Sequence, residues 1–154
     1  MLNEDQTISE YFFGNAFSAD RLFCDLSPQT GQFLTAIKQK KRFKKEATVF
    51  AHGELPCCIY FLREGKAELV TNITPPERNL LRAVEPHEIL GLTEAITGLP
   101  YETSLKTLTP CLFECIGRGD LIRFLQTEPE VCFRLLQLLG TNLQKFYQFL
   151  ARRY

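Results

Sequence analysis

Between residues 48 and 117, short segments rich in β-branched and aromatic residues alternate with Gly, Pro and Asn. Strand formers bounded by turn formers predict several short β-strands, whose number is typical of a small sandwich or barrel. Glu64-Gly65-Lys66 fits a tight hairpin turn, because glycine readily takes the positive φ that such turns need. Thr74–Glu77 fits an exposed hairpin tip. The predicted strands are residues 48–51, 58–62, 67–71, 79–84, 88–90, 103–107 and 112–116.

The segment before these strands has a different pattern. Residues 4–13 mix acidic residues with an aromatic patch, which predicts a short amphipathic helix or an arm lying on the main body. Ser27-Pro28 predicts a helix start, with serine as the cap and proline in the first turn. The run from Lys38 to Lys45 then carries six cations in eight residues. We interpret it as a solvated basic turn, with binding of an anionic partner as the alternative.

Beyond the strands, the apolar residues follow a helical period. A short helix is predicted around residues 120–125, and Pro129 begins a long helix that reaches towards Ala151. The apolar stripe of this helix is wider than contact with one sheet requires, which favours self-association, with the polar Asn142 fixing the register. The alternative is a helix that packs wholly on its own domain. The predicted dimer interface consists of Leu135, Leu138, Asn142 and Phe146.

Composition narrows the class of protein. The 154 residues are 45% hydrophobic and 23% charged, which is typical of one globular domain with its own core. The 18 basic and 18 acidic residues give a formal net charge of zero, so no overall field favours nucleic acid or an anionic membrane. No apolar run reaches the roughly 20 residues of a membrane helix, and the first residues lack a signal peptide, so we expect a cytoplasmic protein that binds no membrane. Its six cysteines are then expected to be reduced thiols.

Five runs stand out by their order and spacing: residues 48–54, 59–69, 88–92, 98–104 and 129–132. Together they resemble the cyclic-nucleotide-binding domain of the Crp/Fnr family of bacterial regulators. The resemblance implies a mainly β fold with flanking helices. This fold is an antiparallel, jelly-roll-like β-roll (a double-stranded β-helix) with N-terminal helices and a long C-terminal dimerisation helix. We expect an N-terminal helical arm over residues 1–26, the roll over 27–128, and the long helix, part of the same domain, over 129–154.

The resemblance places a phosphate-binding cassette at Gly91–Ser104, around a short helix near Thr93–Thr97. The unpaired N–H groups at a helix start suit an anion, so the ligand implied is a small anionic molecule of unknown identity. In nucleotide-binding members, a Glu after the first Gly contacts the ribose and an Arg near the end of the cassette pairs with the phosphate. The Glu position holds Leu92 here, and the Arg position falls on or beside Tyr101. Losing both partners weakens binding by about a thousandfold or more, so we expect no tight binding of cAMP or cGMP.

The candidate ligand-binding residues lie in the cassette and on the helix that closes the roll. Lys106 is a minor candidate for a substitute cation, since alternation along a strand places it on the face of Ser104. The positions that would face a base fall at Phe146 and Tyr147, and we expect these bulky side chains to fill the pocket. The cassette candidates are Gly91, Leu92, Thr93, Glu94, Tyr101, Glu102, Thr103 and Ser104.

Cysteines and carboxylates are the remaining chemistry. Some Fnr-type relatives hold a cluster with cysteines grouped near the N-terminus, whereas only Cys24 lies there in this sequence. Cys57 and Cys58 point to opposite faces of a regular strand, so we interpret the thiols as small apolar residues without a metal. Glu85 and Glu88 flank a proline and are interpreted as solvated. No Walker-type loop, dinucleotide fingerprint or Gly-x-Ser-x-Gly elbow occurs, so we expect no enzyme.

The functional prediction depends on the DNA-binding domain that regulators of this family carry. Its regulators continue past the long helix into a helix-turn-helix domain that reads DNA, whereas this sequence stops at Tyr154, so we expect no direct DNA binding. We expect a stand-alone sensory or regulatory ligand-binding module, homodimeric through its C-terminal helix, that acts through a ligand or a protein partner. Two alternatives stay open: a degenerate fold used as a protein-interaction scaffold, and a thiol- or metal-based redox sensor.

Overall fold

The computed structural model describes residues 17–73 and 78–153, so the features predicted at residues 4–13 and 74–77 lie outside it. All the predicted strands are present within two residues of their expected ends, and so are the predicted helices of the described part. The strands are β1 (Phe17–Ser18), β2 (Lys38–Phe43), β3 (Thr48–Phe50), β4 (Cys58–Glu64), β5 (Ala67–Ile73), β6 (Arg78–Ala83), β7 (Glu88–Leu90), β8 (Ser104–Thr107) and β9 (Cys111–Gly117). The helices are α1 (Ala19–Leu22), α2 (Pro28–Ile37), α3 (Leu92–Thr97), α4 (Arg118–Thr127) and α5 (Pro129–Arg153).

The strands form two antiparallel sheets. Sheet A has the order β1-β7-β4-β9-β2, and sheet B has the order β3-β8-β5-β6. In sheet A, Tyr60 of β4 lies opposite Cys115 of β9; in sheet B, Leu69 of β5 lies opposite Leu105 of β8. The architecture is the mainly β roll with flanking helices and a long last helix that the sequence predicts, so the fold class is confirmed.

Two hydrophobic cores lie on the two faces of sheet A, because successive side chains of a strand point to opposite faces. The inner core lies between the sheets and contains Phe50, Tyr60, Ala67, Leu69, Leu90, Tyr101, Leu105, Cys111, Phe113 and Cys115. The outer core lies between sheet A and the helices and contains Leu22, Leu34, Ile59, Phe61, Ile89, Leu92, Ala95, Ile116, Leu121, Phe124, Val131 and Leu135. The molecule therefore has three layers: sheet B, sheet A and helices.

The helix starts follow local capping chemistry. The Ser27 side chain accepts a hydrogen bond from the backbone N–H of Thr30 at 3.2 Å, and Pro28 occupies the first turn of α2. Pro129 likewise begins α5, and Glu130 in its first turn favours the positive end of the helix dipole. Within residues 17–73 and 78–153, no helix combines the length and the hydropathy needed to cross a membrane.

The basic run is the clearest difference from the sequence prediction. Lys38–Phe43 forms strand β2, paired with β9 from Lys38 opposite Ile116 to Phe43 opposite Cys111, so the predicted basic turn is wrong over these residues. The four middle residues of β2 are exposed, and for this reason the strand shows no apolar alternation. Exposed cations on an edge strand disfavour pairing with a further strand, which is a sufficient physical role for the run.

Glu88 also differs from its interpretation as a solvated residue, because its side chain is only 3% exposed. Arg82 donates from both terminal nitrogens to the two carboxylate oxygens, with Nη1 at 3.2 Å from Oε2. The backbone N–H of Glu85 donates to the same Oε2 at 2.8 Å. This pair joins β6 of sheet B to β7 of sheet A, so it holds the two sheets together beside the cassette.

Candidate ligand-binding cassette

The cassette begins where β7 ends. Gly91 has φ +80°, a left-handed conformation that suits glycine, and it turns the chain from the strand into α3. The backbone N–H of Ala95 donates to the carbonyl of Gly91 at 3.0 Å, and that of Gly98 donates to Glu94 at 2.7 Å, where the helix ends. A short helix therefore lies at the predicted position, between β7 and β8.

Leu92 does not face a ligand space. Its side chain is buried in the outer core with Ala95, so this face of α3 anchors the cassette to the helical layer. Thr93 is exposed and Glu94 is half-buried. Burial raises the pKa of the Glu94 carboxyl, and the nearby charge of Glu102 raises it further. The position at which the family resemblance implies a ribose-contacting Glu thus holds a core residue.

Tyr101 is the centre of the candidate site and is only 2% exposed. Its ring stacks on that of Phe50, with centroids 4.0 Å apart and planes inclined by 12°. Its hydroxyl donates to the carbonyl oxygen of Cys58 at 3.2 Å. Burial raises the pKa of Tyr101, so the hydroxyl stays protonated and remains a donor at physiological pH. The side chain is a neutral, fully engaged part of the inner core.

The same ring lies against the cassette turn. A Cβ atom placed on Gly91 would lie 3.3 Å from Cε1 of Tyr101 and 3.4 Å from the Cys58 carbonyl oxygen. The backbone of Tyr101 is fixed as well, because its N–H donates to Glu54 at 2.9 Å and its carbonyl accepts from Gly53 at 2.8 Å. Tyr101 therefore joins the cassette turn, the residue 53–54 turn and the start of β4.

The other cassette candidates are divided between surface and interior. Glu102 is exposed, Thr103 is buried and Ser104 is half-buried, with its Oγ accepting from the backbone N–H of His52 at 2.9 Å. Lys106 shares the outward face of β8 with Ser104 and lies opposite Glu68 in sheet B. Of the predicted site residues, the structure brings Gly91 and Tyr101 into contact and leaves Lys106 on the surface.

The long helix α5 presents different residues from those predicted. Leu135 is buried in the outer core and Leu138 packs against that core, so both contact their own domain. Asn142 is half-buried, and the side chain of Phe146 lies outside what the structure describes. Tyr147 is 62% exposed, so its side chain fills no cavity within its own chain. The exposed apolar residues of α5 are Phe133, Leu136, Leu143 and Tyr147.

Three cysteines cluster beside the cassette, a grouping that their spacing in the sequence does not reveal. Cys57 lies just before β4, and the Cys57 and Cys58 thiols interact electrostatically with each other and with Cys115. Burial, followed by the Cys57 thiol, raises the pKa of Cys58 to about 11, so this thiol is protonated at neutral pH. Among the residues of known placement, no group of three or more His, Cys, Asp and Glu side chains is arranged to hold a metal ion.

An antiparallel roll with a short helix between β7 and β8 and a long closing helix is the architecture that the family resemblance implies. Residues 40–128 match the family model described as the cyclic nucleotide-binding domain, which is more than half of the chain. The chain belongs to this family. The resemblance drawn from its sequence is thereby confirmed.

Two bacterial proteins are similar to this chain over most of its length. It is 26% identical over 130 residues to a CRP-like cAMP-activated global transcriptional regulator of Mycobacterium tuberculosis, covering 84% of this chain and 58% of that protein. The chain therefore spans a little over half the length of that relative. An uncharacterised protein of Haemophilus influenzae is 25% identical over 107 residues, which cover 70% of this chain and 83% of that one.

Solved structures show the same fold. The N-terminal domain of a transcriptional regulator from Streptomyces coelicolor has a TM-score of 0.71 at 26% identity, covering 84% of this chain and 91% of that one. The catabolite activator protein of Thermus thermophilus has a TM-score of 0.72 at 19% identity, covering 85% and 62%. The second likeness supports the fold alone.

Proposed function

We propose that the protein is a regulatory module of the cyclic nucleotide-binding domain family that does not bind cAMP or cGMP tightly and works as a dimer. Tyr101 carries the first part of this proposal. The position where nucleotide binders have a phosphate-pairing Arg falls on or beside Tyr101, a neutral side chain buried against Phe50 and Gly91, and neither neighbour of Tyr101 in the sequence is basic. A charge-assisted hydrogen bond to phosphate contributes about 1.5–3 kcal/mol, and none can form from this side chain.

The charges of the cassette also oppose a phosphate. Glu94 and Glu102 bring two carboxylates to α3 and the segment after it, close enough to interact with each other. The Arg118 guanidinium is engaged at the other end of α3, where its Nε donates to the Ala95 carbonyl at 2.7 Å. Repulsion from the carboxylates adds to the loss of the ribose and phosphate partners, which together weaken binding by about a thousandfold or more.

Titration calorimetry with cAMP and cGMP tests this part directly, and cAMP comes first because the Mycobacterium tuberculosis relative is named as cAMP-activated. We expect no saturable heat at ligand concentrations up to about 100 µM, since a thousandfold loss moves a micromolar affinity to about 1 mM. A dissociation constant in the low micromolar range for either nucleotide would overturn the proposal. Thr93→Ala, an exposed cassette substitution, serves as the control and should give the same flat titration.

The exposed stripe of α5 supports the dimer. Phe133, Leu136, Leu143 and Tyr147 are 60%, 61%, 52% and 62% exposed. Together with Gly140, these positions are spaced by 3, 4, 3 and 4 residues, the heptad spacing of helices that associate along a seam. Leu135 and Val131, by contrast, belong to the outer core of the same chain. One helix thus has two apolar faces, and the outward face fits a second copy of itself.

Sedimentation velocity tests the dimer with substitutions at exposed sites, where folding is not at risk. We expect the unmodified protein to sediment as a dimer and Leu136→Glu/Leu143→Glu as a monomer, because unpaired carboxylates would be buried across a symmetric seam. The matched control is Thr141→Glu/Gln148→Glu, which adds the same charges seven residues apart at exposed positions away from the stripe. The control should remain dimeric, and a dimeric Leu136→Glu/Leu143→Glu protein would exclude this interface.

A further inference from the structure

We infer that Tyr101 is a tethered ligand, a side chain that occupies the cassette and holds it in one conformation without a small molecule. The inference rests on the proposed function, since it assumes that no cyclic nucleotide uses the cassette. In this view, a side chain of the protein, and not a bound small molecule, sets the conformation of the cassette.

The contacts of the side chain are those of a bound aromatic molecule. One face of the ring stacks on Phe50 at 4.0 Å, its edge carbon Cε1 lies at the Gly91 turn, and its hydroxyl donates to the Cys58 carbonyl. These three partners lie on β3, the cassette and β4. The ring therefore contacts three elements that come from separate regions of the chain.

The cassette is in turn connected to the helical layer. The Nε of Arg118 donates to the Ala95 carbonyl of α3 at 2.7 Å, and the backbone N–H of Arg118 donates to the Cys57 carbonyl at 2.8 Å. Cys57 adjoins the residue that accepts the Tyr101 hydroxyl. Arg118 begins α4, which leads directly into α5. Tyr101 thus contacts Gly91, where the cassette helix begins, and Cys58, whose neighbour Cys57 accepts a hydrogen bond from the first residue of α4.

Removal and replacement of the ring test the inference. In Tyr101→Gly, we expect amide hydrogen exchange in α3 and in the first turn of α4 to accelerate by about a hundredfold, because the cavity left by a large buried ring destabilises the elements around it. Saturating p-cresol, which is the missing side chain as a free molecule, should restore slow exchange in both segments. Toluene, which lacks the hydroxyl for the Cys58 carbonyl, should restore it less.

Matched variants separate this role from general loss of the inner core. Phe113→Gly removes a fully buried ring from the same core, and p-cresol should have no advantage over toluene there because the tethered-ligand site is intact. If Tyr101→Gly does not fold, amide exchange in α3 is compared between Tyr101→Leu and Tyr101→Phe instead. The leucine variant should show faster exchange in α3 than the phenylalanine variant, which keeps the ring.

Unchanged exchange in α3 and α4 of a folded Tyr101→Gly or Tyr101→Leu protein would overturn the inference, as would p-cresol binding that leaves α3 exchange fast. Calorimetry of the unmodified protein with cAMP is a separate readout. Nucleotide binding by the unmodified protein would refute the proposed function, whereas fast exchange that p-cresol does not reverse would refute only the tethered ligand.

Discussion

The two faces of sheet A are filled by different chemistry. The outer face packs against the helices mainly through aliphatic side chains and phenylalanines, including Ile59, Phe61 and Phe124. The inner face also buries hydroxyl and thiol groups, among them Tyr60, Tyr101 and the cysteines of β9. The Tyr101 hydroxyl has its acceptor in the Cys58 carbonyl, and the Cys111 thiol has one in the Lys66 carbonyl at 3.3 Å.

The two cores therefore contribute differently: one mainly to stability, the other also to the fixed position of particular side chains. A purely apolar core gives stability without preference for one hydrogen-bonding arrangement, since the hydrophobic effect is not directional. Buried polar atoms require their partners, so the inner face holds Tyr101 in a single position relative to β4 and the cassette. The outer core attaches the helices to sheet A. The inner core, which includes Tyr101, determines how much space remains beside the cassette.

The largest effect is expected from the outer core. Phe124 is fully buried and packs against Phe23, with centroids 5.9 Å apart, and against Phe33, with centroids 5.6 Å apart. Phe124→Ala should lower the free energy of unfolding by about 3–5 kcal/mol, because it removes apolar contacts and leaves a cavity. Urea denaturation measures this change.

Two control substitutions show whether the loss of unfolding free energy in Phe124→Ala depends on burial of the ring. Phe33→Ala removes the partly exposed member of the same stacked pair and should cost much less. Phe113→Ala, in the inner core, should cost as much as Phe124→Ala, because Phe113 is equally buried. A loss below about 1 kcal/mol for Phe124→Ala would mean that the helices contribute little to the stability of the roll.

The sequence predicts the outer layer and the strands well because both depend on local patterns. Turn residues bound each strand of the roll, and the cap at Ser27 marks the start of α2. Strand β2 escapes detection, since an edge strand with exposed cations has no apolar alternation. The run from Lys38 to Lys45 is therefore predicted as a turn, although residues 38–43 lie in a ladder with β9.

The site is less predictable because its contacts join different strands and the two sheets. Tyr101 is identified as the departure from a nucleotide-binding pattern, but its inward orientation depends on Phe50 and on a backbone carbonyl at Cys58. Glu88 is buried because Arg82 reaches it from the other sheet. No local period encodes either contact. The apolar stripe of α5 was detected, but which of its two faces meets the domain depends on the geometry of the outer core.

The smallest expected effect concerns the carboxylate of the cassette. Burial and the neighbouring Glu102 raise the pKa of Glu94 in the folded protein above its ordinary value of 4.5. A raised folded-state pKa means that the protonated form favours folding, so this contribution is present below the unfolded pKa and is lost as the pH rises through the folded pKa. Glu94→Gln should therefore raise the melting temperature at pH 7, and its advantage should disappear near pH 4.

Melting curves of both proteins from pH 3.5 to pH 7 measure this difference, and taking the difference cancels the titration of the other carboxylates. Glu102→Gln, at an exposed position, is the matched control. It removes only the second cause of the shift, so its gain at pH 7 should be smaller than that of Glu94→Gln. An advantage of Glu94→Gln that is constant with pH would show that packing of the amide, not ionisation, produces it. A pH-dependent advantage would instead show that the cassette tolerates an added negative charge poorly, as the proposed exclusion of cyclic nucleotides requires.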